Sequence, residues 1–231
     1  PDWPIEATSG TIRIAFAGGL ASQGDYPAMT RDLLARRVED FDFETLNFGM
    51  TGWTSLLTLI SYDLHLRHYR PPYLVLHVGP DEFRVLGYRD FRRDYAHAFR
   101  PATPPPPPRD YLLTRYLNSY ALVNRLVQHW IGEPDVPPLP DLVLRPATRH
   151  FDLLTDIEPL LDAMRANVEL IVGQARLDGT RVVLTTIPFS RTNLSWSPAF
   201  PIFMGRANDV VREVAASTGS PLVDFDRRLG G

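Results

Sequence analysis

Short apolar runs alternate along the chain with stretches in which apolar residues recur every three or four positions. The run Tyr73–Val78 is apolar at nearly every position, which is typical of a strand buried on both faces of a parallel sheet. The run Thr11–Ala17 alternates Ile12, Ile14 and Phe16 with other residues and then enters a Gly-rich turn. In total, five runs predict strands: 11–17, 44–48, 73–78, 181–187 and 221–225.

Helical periodicity fills the gaps between these runs. A first helix opens at Asp25-Tyr26-Pro27, with proline near its first position, and carries Met29, Leu33 and Leu34 at helical spacing. A second helix is expected over 56–66. Two amphipathic helices follow, one ending at Asp178-Gly179 and one closed by Gly219. Their apolar positions are Leu160, Leu161, Met164, Val168, Ile171, Val172 and Ala175, then Val210, Val211, Val214 and Ala215.

Strands that alternate with helices predict a mostly parallel sheet covered by helices on both faces. In such sheets ligands bind at the carboxyl ends of the strands, near the point where the strand order reverses. We therefore expect the loops 18–24, 49–54 and 79–83 to gather at one edge of the sheet.

The middle of the chain breaks this pattern. Ten of the 22 prolines lie between Pro101 and Pro140, five of them consecutively at Pro104–Pro108. Such a stretch favours polyproline II and a stiff surface connection, and a ligand for a proline-binding module is the alternative. The residues Tyr111–Trp130 predict a further helix. We expect one domain over residues 1–231 with a Pro-rich insert at about 100–156.

Composition excludes several classes of function. The 231 residues carry a net charge of −3, so nothing favours binding to nucleic acid or an anionic membrane. All 24 basic residues are arginine, and there is no cysteine, which excludes lysine catalysis, thiol catalysis and disulfides. No apolar run is long enough to span a bilayer, and no signal peptide is visible. The cysteine-free chain begins at Pro1 rather than Met, so we expect a periplasmic or secreted protein whose upstream segment was removed.

Three short motifs follow the first three predicted strands. They read Gly18-Gly19-Leu20-Ala21-Ser22-Gln23-Gly24, Asn47-Phe48-Gly49-Met50-Thr51-Gly52 and Gly79-Pro80-Asp81-Glu82. In order and spacing the chain resembles the SGNH (GDSL-type) hydrolases over residues 11–228. The resemblance implies a three-layer, flavodoxin-like α/β fold whose five-stranded, mostly parallel sheet has helices on both faces.

In the family, a serine in the first motif attacks an ester carbonyl, and a C-terminal Asp-x-x-His activates that serine. The oxyanion hole is built from the serine N–H, a glycine N–H of the second motif and an asparagine amide of the third. Here Leu20 occupies the nucleophile position, Asp81 replaces the asparagine, and no Asp-x-x-His follows the fifth predicted strand. Of the oxyanion positions only Gly49 keeps its family identity.

These departures predict an SGNH-like domain that lacks esterase activity and acts as a binding or scaffolding module. The ligand envisaged is a carbohydrate or acylated envelope material, a protein partner remains an alternative, and neither cofactor nor metal is expected. The second hypothesis is an active ester hydrolase or O-acyltransferase, seen as a truncated or inactivated chain. The expected ligand cleft comprises Gly19, Leu20, Ser22, Gly49, Trp53, Asp81 and Glu82.

Four of these cleft positions allow more than one role. We favour a structural hydroxyl at Ser22 over a substitute nucleophile, since no partner base is evident. Asp81 and Glu82 could ligate a cation or act as acid and base, but capping or pairing with arginine is favoured. Trp53 could stack on a sugar ring, although packing of its loop is the preferred interpretation.

The histidines also allow more than one role. His65 and His68 have the spacing of metal ligands on a helix, yet nearby arginines favour a solvated helix end. His77, inside an apolar strand, is interpreted as a hydrogen-bonded core residue. His150 could stand in for the missing family histidine, but it falls in an irregular segment.

Overall fold

A computed structural model describes residues 3–19, 22, 24–87, 93, 95, 153–189 and 199–229. Its strands are β1 (Thr11–Gly18), β2 (Asp42–Gly49), β3 (Tyr73–His77), β4 (Arg181–Thr185) and β5 (Leu222–Val223). Its α-helices are α1 (Tyr26–Arg37), α2 (Ser55–Leu64), α3 (Leu153–Leu177), α4 (Ala199–Thr218) and α5 (Phe225–Leu229), and two 3-10 helices span Leu66–Tyr69 and Pro80–Gly87.

The five strands form one sheet in the order β2-β1-β3-β4-β5, and every neighbouring pair is parallel. The predicted five-stranded parallel sheet is thereby confirmed. The strand order reverses at β1, because β2 lies on one side of it and β3 on the other. The register aligns Gly18 with both Gly49 and His77, so three strands end level with one another.

Helices lie on both faces of the sheet, as predicted. On one side, which we name the Phe16 face, Tyr26 of α1 meets Phe16 edge-on at 5.4 Å, and Phe225 of α5 lies 6.3 Å from Tyr26. The other side, the Leu74 face, is covered by α2, α3 and α4, which pack side by side. This division follows from the strand order, since right-handed crossovers place α1 on one face and α2, α3 and α4 on the other.

The core is mainly apolar, but β1 places one charged side chain in it. Arg13 is only 1% exposed, and its guanidinium pairs with Glu44 at 2.7 Å. It also donates hydrogen bonds to the backbone oxygens of Ile5, Glu6 and Tyr69. These contacts fasten the segment before β1, and the sequence pattern had not singled out Arg13.

Several elements differ in extent from their predictions. The second helix ends at Leu64, and the 3-10 helix that follows ends at Tyr69. The next residue, Arg70, has a φ of 45° and precedes two prolines. The last strand has two residues instead of five. On α1, the apolar Met29 and Leu33 are 68% and 55% exposed rather than packed on the sheet.

Residues 1–95 and 152–231 group into one compact unit. The expected Pro-rich insert and the helix predicted over 111–130 lie outside the described residues. Within the described part of the chain, no helix is both long and apolar enough to cross a membrane.

Candidate functional site

Backbone hydrogen bonds join the loops that follow β1, β2 and β3. Gly19 donates its N–H to the carbonyl oxygen of His77 at 3.3 Å, and Met50 donates to that of Gly18 at 3.1 Å. The loops expected to meet therefore do meet at the carboxyl edge of the sheet. Leu20, the nucleophile position of the resemblance, lies outside the described residues.

Glycine is required at two of these strand ends because the chain segments approach too closely for a side chain. At Gly18, with φ of +140°, a Cβ would lie 1.7 Å from the carbonyl oxygen of His77. At Gly49, a Cβ would lie 2.4 Å from the Ser22 Cβ and 2.7 Å from the Ser22 carbonyl oxygen. Backbone packing, rather than chemistry, thus accounts for both glycines.

Ser22 is fully buried beneath the loop. Its hydroxyl donates a hydrogen bond to the carbonyl oxygen of Ala17 at 3.2 Å, and its N–H donates to that of Gly19. The side chain therefore faces into the loop, the geometry expected of a structural hydroxyl.

The Asp81 side chain lies between the first two loops. Its Oδ1 accepts a hydrogen bond from the Gly52 N–H at 2.9 Å and is 3.9 Å from the guanidinium of Arg84. A Cβ at Gly19 would lie 1.8 Å from Asp81 Oδ2, so the carboxylate is pressed against the first loop. At the position where the family resemblance implies an amide donor, the chain presents acceptor oxygens.

The backbone N–H of Gly49 is also engaged. It donates a hydrogen bond to the side-chain oxygen of Asn47 at 2.9 Å, two residues earlier in the chain. Of the groups that the resemblance implies for an oxyanion hole, the side chain of Asp81 is therefore an acceptor, and the N–H of Gly49 is already hydrogen-bonded to Asn47.

Glu82, next to Asp81, is completely buried at the start of α2. Its Oε1 accepts a hydrogen bond from the backbone N–H of Ser55, which satisfies one of the free donors at this helix end. Among the described residues no hydrogen-bond partner reaches Oε2. Burial raises the pKa of Glu82 to about 7, although the hydrogen bonds from Ser55 oppose this change.

Two further polar side chains complete a buried cluster around Ser55. Asn167 of α3 donates to the Ser55 hydroxyl at 3.0 Å, and the Tyr95 hydroxyl lies 3.3 Å from the same oxygen. Burial raises the pKa of Tyr95, and the charge of Glu82 adds to this effect. Neither residue was predicted from the sequence, although an asparagine beside Val168 in an apolar helical stripe was a detectable signal.

Trp53 is half-buried beside these loops, and its backbone N–H donates a hydrogen bond to the carbonyl oxygen of Met50 at 3.1 Å. Its own carbonyl oxygen lies close to Gly19. The structure thus brings together Gly19, Ser22, Gly49, Trp53 and Asp81, while the Glu82 carboxylate is enclosed at the start of α2.

The histidines are placed apart from this cluster. His77 is buried between Tyr26 and Phe225, with ring centroids 4.8 and 6.4 Å away, and burial lowers its pKa to about 4. The expected position in the core is confirmed, but among the described residues no hydrogen-bond partner reaches its Nδ1. His65 and His68 are exposed, and the described residues contain no group of three metal-ligating side chains. His150 lies outside the described residues.

An ion-pair network lies at the ends of β4 and β5, on the same edge of the sheet. Arg212 of α4 pairs with Asp224 at 2.9 Å and with Asp226 at 2.7 Å, and Thr186 donates to Asp224. The network joins the ends of β4 and β5 to α4, and the sequence analysis had not identified it.

Comparison with known proteins identifies the fold. No family model and no curated protein sequence matches the chain. An acetylxylan esterase structure from Geobacillus stearothermophilus matches with a TM-score of 0.54 and 16% identity, over 95% of this chain and 81% of that chain. A second acetyl xylan esterase matches at 0.52 and 11% identity, over 94% and 79% of the two chains. A GDSL-like lipase from Bacteroides thetaiotaomicron matches at 0.51 and 12% identity, over 94% and 70%. The chain therefore has the α/β fold of the SGNH (GDSL-type) hydrolases, as its motifs indicated.

Proposed function

We propose that this chain is an SGNH-type domain that binds carbohydrate, plain or O-acylated, without hydrolysing its esters. The observation that carries the proposal is the position of Asp81, whose carboxylate faces the loops where the family resemblance calls for a hydrogen-bond donor. The cysteine-free composition fits a periplasmic or secreted protein, and we propose that location.

The chemistry of the strand ends argues against ester hydrolysis. A carboxylate repels the negative oxygen that develops when an ester carbonyl is attacked, and losing one donor typically costs about 10²–10³ in rate. Leu20 has a saturated side chain, which cannot form an acyl intermediate. The nucleophile acts as a unit with its base, so losing the nucleophile costs more than losing one donor.

Carbohydrate binding is supported by the side chains that remain accessible to solvent at this edge. Trp53 is half-buried, Met50 is half-exposed, and Arg84 keeps 48% of its side chain exposed beside Asp81. An aromatic ring together with charged hydrogen-bonding groups suits a sugar, which has apolar ring faces and a rim of hydroxyls. Two of the matched structures are named as acetyl xylan esterases, which makes xylan the sugar to test first.

Calorimetric titration with xylo-oligosaccharides, acetylated and unacetylated, tests binding. We expect Trp53→Ala to weaken affinity by about tenfold. Phe41→Ala is the matched control, since Phe41 is 49% exposed just before β2, at the opposite edge of the sheet. Equal heats for both variants and the unmodified chain, or no heat at all, would refute carbohydrate binding at this edge.

The alternative is an active ester hydrolase or O-acyltransferase, and the shared fold favours it. Turnover of an acyl ester separates the two functions, because a binding domain gives heat on titration and no product.

A further inference from the structure

Arg84 places its guanidinium against the loop that follows β2. The residue belongs to the 3-10 helix after β3, and its Nη1 is 3.3 Å from the position that a Cβ at Gly52 would take. Gly52 has a φ of +85° and directly precedes Trp53 in the chain. A positive charge of the third loop therefore lies on the backbone of the second, one residue before the aromatic side chain proposed to contact sugar.

The two carboxylates next to Arg84 in the chain are withdrawn from solvent. Asp81 keeps only 5% of its side chain exposed, whereas Arg84 keeps 48%. Glu82 is completely buried at the start of α2, and burial favours its neutral form by raising its pKa to about 7. A ligand that approaches this part of the edge therefore meets a cation, although the sequence here begins with two acidic residues.

The guanidinium of Arg84 is open to hydrogen bonding. Its Nη1 is 3.9 Å from Oδ1 of Asp81, which is longer than a hydrogen bond, and that oxygen accepts instead from the Gly52 N–H at 2.9 Å. In the part of the chain that the structure describes, Arg84 donates no hydrogen bond. Its planar fork of N–H donors is therefore available to a ligand.

A carboxylate matches this fork, since its two oxygens accept two parallel N–H···O bonds from one guanidinium. Among sugars, the uronic acids carry such a group. We propose that the carbohydrate bound at this edge contains a uronic acid, whose carboxylate pairs with Arg84 while a neighbouring sugar ring contacts Trp53. This inference rests on the proposed carbohydrate binding and adds the charge of the ligand.

Two xylo-oligosaccharides that differ in one group test the pairing by calorimetric titration. Glucuronoxylotriose carries one glucuronic acid, and reduction of its carboxyl group to an alcohol gives a neutral sugar of nearly the same shape. We expect the acid to bind the unmodified chain about tenfold more tightly than the reduced sugar, because only the acid forms charge-assisted hydrogen bonds. Raising the salt concentration from about 0.05 M to about 0.5 M should narrow this difference, since salt screens an exposed ion pair.

Substitutions at Arg84 separate its charge from its geometry. Arg84→Gln should bring the Kd values of the acid and the reduced sugar together. Arg84→Lys should keep part of the preference for the acid, since an ammonium supplies the charge without two parallel donors. Arg31→Gln is the matched control, because it removes an exposed guanidinium on α1 and should keep the full preference. Thermal melting of each variant establishes that it folds.

The outcomes distinguish this inference from the proposed function. Equal Kd values for the acid and the reduced sugar, or a preference for the acid that survives Arg84→Gln, would overturn the pairing with Arg84 and leave carbohydrate binding standing. Binding of neither sugar would refute carbohydrate binding and this inference with it.

Discussion

Asp81 accepts a hydrogen bond from the backbone N–H of Gly52 at 2.9 Å, across 29 residues of sequence. The contact ties the loop after β3 to the loop after β2, at the edge where parallel sheets bind their ligands. With Gly49 donating to Asn47, the two loops satisfy their own polar groups. The hydrogen-bonding groups at this edge therefore bind one another and are not arranged to stabilise a developing oxyanion.

Glu82 gives the folded chain a specific pH dependence. Burial raises its pKa to about 7 from an ordinary value of 4.5, so its stabilising contribution is complete below pH 4.5 and is lost as pH rises towards 7. The loss is on the order of 3 kcal/mol in the free energy of unfolding. We expect Glu82→Gln, which keeps an acceptor for Ser55, to remove this decline in urea unfolding measured from pH 4.5 to 8. The exposed Glu169→Gln serves as control, and a decline that survives in Glu82→Gln would contradict the assignment.

Arg13 should be among the costliest side chains to remove. Arg13→Ala leaves Glu44 without its partner and three backbone oxygens without their donor, which should lower the free energy of unfolding by about 3–5 kcal/mol. Arg31→Ala removes an exposed pair with Asp32 and should cost less than about 1 kcal/mol. Chemical unfolding of both variants checks the contrast, and equal losses would show that the buried pair is unimportant.

Substitution by alanine should destabilise the fold at one glycine and stabilise it at another. Gly18→Ala forces a Cβ against the carbonyl oxygen of His77 at a positive φ, so we expect a loss of more than about 3 kcal/mol or failure to fold. Gly173 lies inside α3 with nothing within 4 Å of an added Cβ, so Gly173→Ala should stabilise by about 0.5–1 kcal/mol. Thermal melting distinguishes the two. A tolerated Gly18→Ala would mean that the strand ends are less tightly packed than described.

The sequence predicted the fold well because the fold depends on local pattern. The apolar run at Tyr73–Val78 predicted a strand of a parallel sheet, and β3 lies in the middle of that sheet. The exposure of Met29 and Leu33 was not predictable, since helical spacing shows that two residues share a side of α1 without showing what covers that side.

The site was predicted less completely. Motif order located the loops around Gly19, Gly49 and Asp81, because these follow directly from the strand ends. The cluster around Ser55 was missed because Tyr95 and Asn167 come from 40 and 112 residues further along the chain. Contacts between such distant residues depend on tertiary packing, which no local pattern encodes.

Hydrolysis of 4-nitrophenyl acetate by the unmodified chain, by Leu20→Ser and by Leu20→Ser with Asp81→Asn tests the proposed absence of esterase chemistry most directly. We expect the unmodified chain and Leu20→Ser to match the buffer rate, because Asp81 would still stand in place of the amide donor. The double variant removes that carboxylate and should gain little, since neither substitution supplies a base for the new serine. Saturable hydrolysis by the unmodified chain would contradict the proposed function.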